Sequence, residues 1–243
     1  MMRIYFASVF LLAVCATSGQ AQQSISQAGT AAQANIDALA NGAAAVLPKG
    51  ESYGLIGSPY VENSWLPARL KMTTGVPLAP VPVKYDVLNH RLLMLPLHRK
   101  DSLVLDDRKL ASFELDVPAR GLQPARVRRF RRFTEAPVLS QRAEYVEVLH
   151  EGKYAFLKRY AKTLRKANYQ GPYSTGERYD EVEDKITYYL LRPDGQLLPV
   201  KLGLKPLQAA APALAAALKA TPEAATAKTD ADWGAVLAKV DTQ

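Results

Sequence analysis

Residues 126–133, RVRRFRRF, carry the side-chain types in this chain that are best suited to bind an anion. The stretch holds five arginines and two phenylalanines. A planar guanidinium group can donate two parallel hydrogen bonds to a carboxylate or a phosphate, and arginines interleaved with aromatic rings occur where proteins bind single-stranded nucleic acid. The residue types therefore predict contact with a negatively charged group.

The spacing of these residues also supports a second interpretation. In a β-strand successive side chains point to opposite faces, so each face of this strand would carry both arginines and an apolar residue. Neither face could then be buried cleanly. This is typical of an edge strand whose charges face water and discourage unwanted pairing. We expect an edge strand, and anion contact by the same arginines is the alternative.

A second basic zone follows the corner at residues 150–152 and is again interleaved with aromatic residues. Its lysines and arginines alternate with Tyr154, Phe156 and Tyr160. If the two zones lie on adjacent strands, they form one patch. The candidate binding residues are Arg126, Arg128, Arg129, Arg131, Arg132, Lys153, Lys158 and Arg159.

The chain carries no recognisable catalytic motif. The nucleophile elbow G-x-S-x-G, the Walker phosphate loop, the dinucleotide glycine fingerprint and the zinc pair H-E-x-x-H are missing from the sequence. A cluster of four acidic residues lies at positions 180–184. Paired carboxylates can act in glycoside hydrolases, but several acids that lead into a strand are more typical of a solvated loop end. We therefore predict a protein without enzymatic activity. The four acidic residues of this cluster are Asp180, Glu181, Glu183 and Asp184.

The three histidines do not predict a metal site. His90, His98 and His150 lack i, i+4 spacing and have no neighbouring carboxylate at ligand spacing. His90 and His150 fall at predicted turns, so we interpret them as solvated. The sequence predicts no metal and no cofactor.

The first 21 residues have the pattern of a secretory signal. Arg3 precedes an apolar run at residues 4–16 that is too short to span a bilayer, and a small-x-small site ends at Ala21. We expect cleavage after Ala21 and a location in the periplasm or the outer envelope. Because Cys15 follows a lipobox-like tripeptide, lipid attachment at Cys15 is the minor alternative.

The composition limits the chemistry and the partners of the exported chain. Cys15 is the only cysteine, so cleavage after Ala21 would exclude disulfides and thiolate metal sites. The formal net charge of +8 favours anionic surfaces such as a lipid head group or an acidic glycan, with another envelope protein as a further candidate partner. Export argues against nucleic acid. No later segment is apolar enough for a transmembrane helix, so none is expected in the mature chain.

Short alternating runs after residue 57 predict a sheet. Runs of four to eight residues, separated by turn residues, are typical of an antiparallel meander. Two later segments predict hairpins, one turning at residues 150–152 and one at Pro193, Asp194 and Gly195, where the glycine suits a left-handed conformation. The polar segment 161–184 is expected to be a loop. The early runs are 68–75, 81–88, 91–97, 101–105 and 110–117.

These patterns divide the chain into four regions. A signal peptide at 1–21 precedes a flexible Ala/Gln-rich leader with a weak helix at 22–56. A mainly β domain at 57–203 forms a barrel-like or sandwich fold from the antiparallel meander. Two short C-terminal helices occupy 204–243. The first starts near Pro206 and breaks at Pro212, and the second is capped by Asp230 or Asp232.

Four segments together carry a resemblance to a known family. They are GSPYVENSW (57–65), VPVKYDVLNHRLLM (81–94), EYVEVLHEGKYAFLKRY (144–160) and KITYYLLRPDGQLLPVKL (185–202). They resemble a family of uncharacterised secreted proteins from Bacteroidetes-type bacteria, over residues 57–218. The resemblance implies export and a β-rich fold. It implies no activity and no functional residues.

Three hypotheses for function follow. The leading one is an exported, non-enzymatic cell-envelope protein that binds an anionic or protein partner through a basic β surface. The alternative is a β-barrel carrier of a small apolar ligand, suggested by aromatic residues such as Tyr85, Phe113 and Tyr188, which requires an enclosed apolar cavity. The third is an unrecognised hydrolase that uses the acids at 180–184.

Overall fold

The computed structural model describes residues 54–76, 78–96, 101–121, 124–165 and 179–241. The predicted signal peptide, His98 and nearly all of the predicted leader lie outside these residues. Within them, one sheet contains eleven strands. The strands are β1 (Leu55–Ile56), β2 (Leu66–Met72), β3 (Val81–Asp86), β4 (Arg91–Met94), β5 (Leu103–Val104), β6 (Leu110–Val117), β7 (Arg126–Arg132), β8 (Tyr145–Glu151), β9 (Ala155–Arg165), β10 (Asp180–Leu191) and β11 (Leu197–Val200).

Two antiparallel meanders form the sheet, and the pairing of β2 with β6 joins them. The strand order is β1-β10-β9-β8-β7-β6-β2-β3-β4-β5, with β11 also paired with β10. The prediction of a mainly β fold built on an antiparallel meander is confirmed. The sheet is mixed, because β1 pairs with β10 in parallel. This short strand lies in the region that was predicted to be leader.

The sheet curls strongly but is not closed. Strands β3 and β8 are four positions apart in the strand order, which is about 19 Å in a flat sheet. The backbone N–H of Tyr145 on β8 nevertheless donates a hydrogen bond to the Tyr85 hydroxyl on β3, at 3.1 Å. Among the described strands, those at the two ends of the order do not pair with each other. The fold is therefore an open, barrel-like sheet.

The inside of the curl is filled by apolar side chains. Phe113 and Phe130 stack with their ring centroids 4.8 Å apart, and the rings of Tyr85 and Tyr145 meet them edge-on. All four residues are almost completely buried. Strand β2 shows the expected alternation of buried and exposed residues along its whole length. Burial of these inward faces is the main stabilising term of this half of the molecule.

A second apolar cluster forms where the C-terminal helices cover β8 to β11. It contains the predicted stripe of the last helix, in which Trp233, Val236, Leu237 and Val240 are buried. Between residues 204 and 241 the structure has four α-helices, rather than the two predicted, since the chain breaks at a 3₁₀ turn at Pro212–Leu214 and again before residue 223. They are α1 (Leu204–Ala210), α2 (Ala215–Ala220), α3 (Glu223–Thr226) and α4 (Asp230–Val240).

The last helix begins with a capping box, and its N-cap precedes both aspartates that were predicted as the cap. Thr229 is the N-cap, and its side chain accepts a hydrogen bond from the backbone of Asp232, whose carboxylate in turn accepts from the backbone N–H of Thr229. Neither Asp230 nor Asp232 is the cap. No helix in the described part of the chain is long and apolar enough to cross a membrane.

The prediction of a loop over 161–184 is wrong at both ends. Strand β9 continues to Arg165, and β10 already begins at Asp180. The charges of the two strands lie opposite one another in the antiparallel register, so polar residues that suggested a loop form cross-strand pairs. The predicted hairpins at 144–160 and 185–202 are confirmed, and Gly195 has the positive φ of 81° that its turn requires.

Candidate functional site

Strand β7, which carries RVRRFRR, lies in the centre of the sheet. It pairs with β6 on one side and with β8 on the other. The prediction of an edge strand is therefore wrong. The physical reason is that neighbouring elements supply acidic side chains that neutralise the arginines, so one face of the strand can be buried: Arg128 is only 5% exposed and Phe130 is fully buried.

Arg128 is the centre of a buried ionic network. Its Nε and Nη2 atoms donate hydrogen bonds to the two carboxylate oxygens of Glu147, each at 2.8 Å, and Nη1 donates to Glu62 at 2.7 Å. The Tyr160 hydroxyl accepts a further bond from Nη2 at 2.7 Å and donates to Glu147. Arg128 is therefore bound to internal partners and does not face an external anion.

Glu147 and Arg128 both remain charged within this network. Burial by itself raises the pKa of Glu147, but the hydrogen bond and the positive charge of Arg128 outweigh burial and leave that pKa below its usual value. Burial lowers the pKa of Arg128, yet Glu147 raises it further than burial lowers it. A buried pair of this kind needs both members, because removal of one leaves an uncompensated charge.

The two half-buried arginines of β7, Arg131 and Arg132, also have internal partners. Arg131 Nη1 lies 2.8 Å from a Glu135 carboxylate oxygen. Arg132 Nη2 lies 3.0 Å from Asp107, and the Arg132 guanidinium carbon lies 4.2 Å from the centre of the Tyr145 ring. These contacts tie β7 to the connection that follows it and to the connection between β5 and β6, so both arginines serve the fold.

Two of the three candidates of the second basic zone are paired as well. Arg159 binds Glu144 with two hydrogen bonds, Nε at 2.7 Å and Nη2 at 2.9 Å. Lys158 binds Asp230, at the start of α4, so it links the helices to the sheet. Both basic side chains are 14% exposed. The charge of each is balanced inside the molecule.

Three of the eight candidates are exposed, namely Arg126, Arg129 and Lys153. None of them forms an ion pair with another residue in the described ranges. Arg126 begins β7 and Lys153 lies in the turn from β8 to β9, so the antiparallel topology puts both at the same end of the sheet. Arg129 is opposite Val148 on the outer face of β7. We call these three residues the exposed cations.

A groove of about 620 Å³ opens beside Arg126, between the start of β2 and the connection from β6 to β7. Most of its wall is apolar. Two arginines and Asp116 supply its charges, and Asp116 is itself paired with Arg69 at 2.7 Å. The lining residues used below are Trp65, Pro67, Pro118, Arg120, Arg126 and Val127.

The groove was not predicted from the sequence, although Trp65 and Arg120 are residue types that could have suggested a binding site. Trp65 directly precedes β2, and Arg120 follows the end of β6 by three residues. The two residues are distant in the sequence, and only the pairing of β2 with β6 brings them together. Ser64 marks the contact, since its hydroxyl accepts a hydrogen bond from Arg120 at 3.0 Å.

The acids of the hydrolase hypothesis lie on β10, where basic side chains of β9 face them. Glu181 and Glu183 both pair with Arg165, and Asp184 pairs with Lys162 at 2.5 Å. Asp180 begins the strand opposite Leu55 of β1. The acids therefore belong to a cross-strand ladder of charges, and the observation that motivated a hydrolase has a structural explanation.

One histidine is not a solvated turn residue as predicted. His150 lies on β8, is 8% exposed, and its Nε2 atom lies 2.8 Å from Asp241 Oδ2. The same oxygen accepts the backbone N–H of Tyr154 at 3.0 Å, so the end of the last helix is bound to the β8–β9 turn. No group of three or more metal-ligating side chains is present in the described ranges.

The aromatic residues that suggested an apolar carrier are part of the packed interior. Tyr85 and Phe113 contact each other within the curl, with ring centroids 6.1 Å apart. Tyr188 stacks on Phe156 under the helices, at 5.8 Å. These side chains fill the core, so they provide no support for a ligand cavity.

Comparison with known proteins adds no family and no activity to this description. No family model, no curated protein and no solved structure matches the chain. Any function must therefore be inferred from the exposed cations and the groove themselves.

Proposed function

We propose that this chain is an exported, non-enzymatic protein of the cell envelope that binds an anionic partner through its exposed cations. The observation that carries the proposal is Arg126, which is exposed at a groove and has no ion-pair partner in the described part of the chain. Lys153 lies at the same end of the sheet as Arg126, and Arg129 is exposed on the opposite face of β7. Export rests on the signal pattern of residues 1–21.

The internal pairing of the other candidates supports a localised site. Arg128, Arg132 and Arg159 each have a carboxylate partner within 3.0 Å, so their charges are largely compensated. The excess positive charge of the chain is then concentrated on side chains without such partners. A negatively charged surface would be attracted to these side chains, and attraction between exposed charges weakens as salt is added.

An anionic lipid head group is the partner that the surroundings of Arg126 favour. An acidic glycan offers hydroxyl groups along its whole length, whereas the groove next to Arg126 has a mostly apolar wall. A lipid offers a negative phosphate together with apolar groups. Both parts of such a partner therefore have a complementary surface on the protein.

Sedimentation with vesicles tests the proposal. At low salt, we expect the purified protein to sediment with vesicles of phosphatidylglycerol and phosphatidylcholine, and to remain in the supernatant with phosphatidylcholine alone. The triple variant R126Q/R129Q/K153Q should lose most of this binding.

A matched variant separates a specific surface from net charge. K71Q/K205Q/K219Q removes three exposed positive charges elsewhere and has the same net charge as the first variant. We expect it to bind like the wild type. Equal losses in the two triple variants, or equal sedimentation with neutral and anionic vesicles, would contradict the proposed surface.

A further inference from the structure

The groove beside Arg126 has features of a small-molecule site in addition to its place on the basic surface. Its volume of about 620 Å³ falls within the range of roughly 300 to 1,000 Å³ that is usual for ligand sites, and such sites combine apolar walls with a few polar groups. We propose that it binds a single-chain amphipathic anion, with the acidic group at Arg126 and the alkyl chain along the apolar wall. This inference rests on the proposed function and names its ligand class.

The apolar wall is built from side chains that the fold leaves partly or fully exposed. Val127 is 52% exposed although it lies on a central strand. Trp65, Pro67 and Pro118 continue the same wall across the ends of β2 and β6. An alkyl chain that covers these side chains removes apolar surface from water on both sides of the contact, which is the usual driving force for such binding.

The charges of the groove select the sign of the ligand. Arg120 is held by the Ser64 hydroxyl at 3.0 Å, and Arg126 has no ion-pair partner in the ranges that the structure describes. The only acid among the lining residues named for this groove is Asp116, which faces two arginines there and is paired with Arg69 at 2.7 Å, a cation that Glu114 shares. The groove therefore presents net positive charge. A phosphate or carboxylate group would gain a charge-assisted hydrogen bond from Arg126.

Neither the acidic group nor the alkyl chain alone is expected to bind the groove tightly. Inorganic phosphate can reach the arginines but leaves the apolar wall in water. An uncharged alcohol can cover the wall but leaves Arg126 without an anionic partner. Each methylene group removed from water should strengthen binding about fourfold, so affinity is expected to rise along a series of alkyl phosphates until the wall is covered.

Trp65 provides an intrinsic reporter for the test. The second tryptophan, Trp233, is 2% exposed beneath the helices, so a ligand in the groove should change the fluorescence of Trp65. We would titrate the purified protein with monomeric decyl phosphate, decanol and inorganic phosphate. We expect saturable binding of decyl phosphate, at least about tenfold weaker binding of decanol, and no saturable response to inorganic phosphate.

Two pairs of variants assign the response to the groove. R126Q should weaken decyl phosphate binding about tenfold, while R108Q, at an exposed arginine on another connection, should leave it unchanged. V127N should weaken binding through loss of the apolar contact. V138N is its matched control, since Val138 is 49% exposed, almost the same as Val127, but lies outside the groove lining.

The outcomes separate this inference from the proposed function. Binding of decyl phosphate that depends on both Arg126 and Val127 supports the inference. If anionic vesicles bind the protein in a salt-dependent way but decyl phosphate binds no better than inorganic phosphate, the inference is overturned and the proposed function stands. If neither vesicles nor decyl phosphate bind, both are overturned. W65F checks the reporter, because calorimetry should still detect binding after the fluorescence change is lost.

Discussion

Single arginines of β7 have different roles according to whether a carboxylate lies within reach. Arg128 has two, Glu147 and Glu62, and is buried with them. Arg129, the next residue, has no ion-pair partner among the described residues and is exposed. Adjacent arginines in one strand therefore serve stability and recognition separately, because the alternation of the strand points them to opposite faces.

Substitution of these two neighbours should separate the two roles. R128M leaves Glu147 and Glu62 without their buried cation, which is expected to destabilise the protein by about 3 to 5 kcal/mol. R129M, at an exposed position, should change the free energy of unfolding by no more than about 0.5 kcal/mol. Urea denaturation measures both values, and similar losses in the two variants would show that the network around Arg128 carries no special stability.

The same network predicts how stability depends on pH. Although burial raises the pKa of Glu147, Arg128 lowers it more, so the folded-state pKa lies below the unfolded value of about 4.3. The stability that this shift contributes is complete above the unfolded pKa and is lost as the pH falls through the folded one. Urea unfolding at a series of pH values should therefore show a shallower acid dependence in E147Q than in the wild type. Parallel curves would contradict the assignment.

The residue types of the site could be predicted from sequence, but their partners could not. The arginine-rich stretch was recognised as the main cluster of cations. Glu62 lies 66 positions and Glu147 lies 19 positions from Arg128 along the chain. Contacts over such separations depend on which strands are neighbours, and a periodicity within one strand contains no information about them.

The positions of strands along the chain were easier to predict than their neighbours in the sheet. The run at 110–117 was predicted with its correct bounds, and the turn at Gly195 was correct. The edge position of β7 was wrong because the spacing suggested that neither face could be buried, whereas Glu62 and Glu147 pair with Arg128 and allow one face to be buried. The predicted loop over 161–184 was wrong at both ends, where charged residues of β9 and β10 form ion pairs across the strands.

Helix α4 packs closely on β8 at Gly234. A Cβ atom at Gly234 would lie 2.6 Å from the carbonyl oxygen of Leu149, so the helix approaches the strand as closely as it can. Helix propensity alone predicts that G234A stabilises the protein by about 1 kcal/mol. We expect instead a loss of about 1 to 3 kcal/mol, because the added methyl group forces the helix away from β8.

Thermal and urea unfolding of G234A distinguish these outcomes. A238G serves as a control in the same helix, at an exposed position, and should destabilise the protein by about 1 kcal/mol through propensity alone. A more stable G234A would show that the helix does not pack against Leu149 as closely as described.

For the whole molecule, the open sheet has two apolar interiors and a charged layer between them. One interior lies within the curl, and the other lies beneath the helices. Arg128, Glu147, Tyr160, Lys158 and Asp230 connect the two on one sheet face. Within this layer, the charges of Arg128 and Lys158 are balanced by internal carboxylates. The cations that remain exposed are the ones available to a partner.

Vesicle sedimentation over a range of salt concentrations tests whether the exposed cations bind an anionic partner. Between about 0.01 M and about 1 M salt the Debye length falls from about 30 Å to about 3 Å, so binding through exposed charges must weaken steeply. We predict that wild-type binding to anionic vesicles is strong at the low end and lost at the high end, and that R126Q/R129Q/K153Q binds weakly throughout. Wild-type binding that stays constant across this range, or is unchanged in the triple variant, would contradict the account.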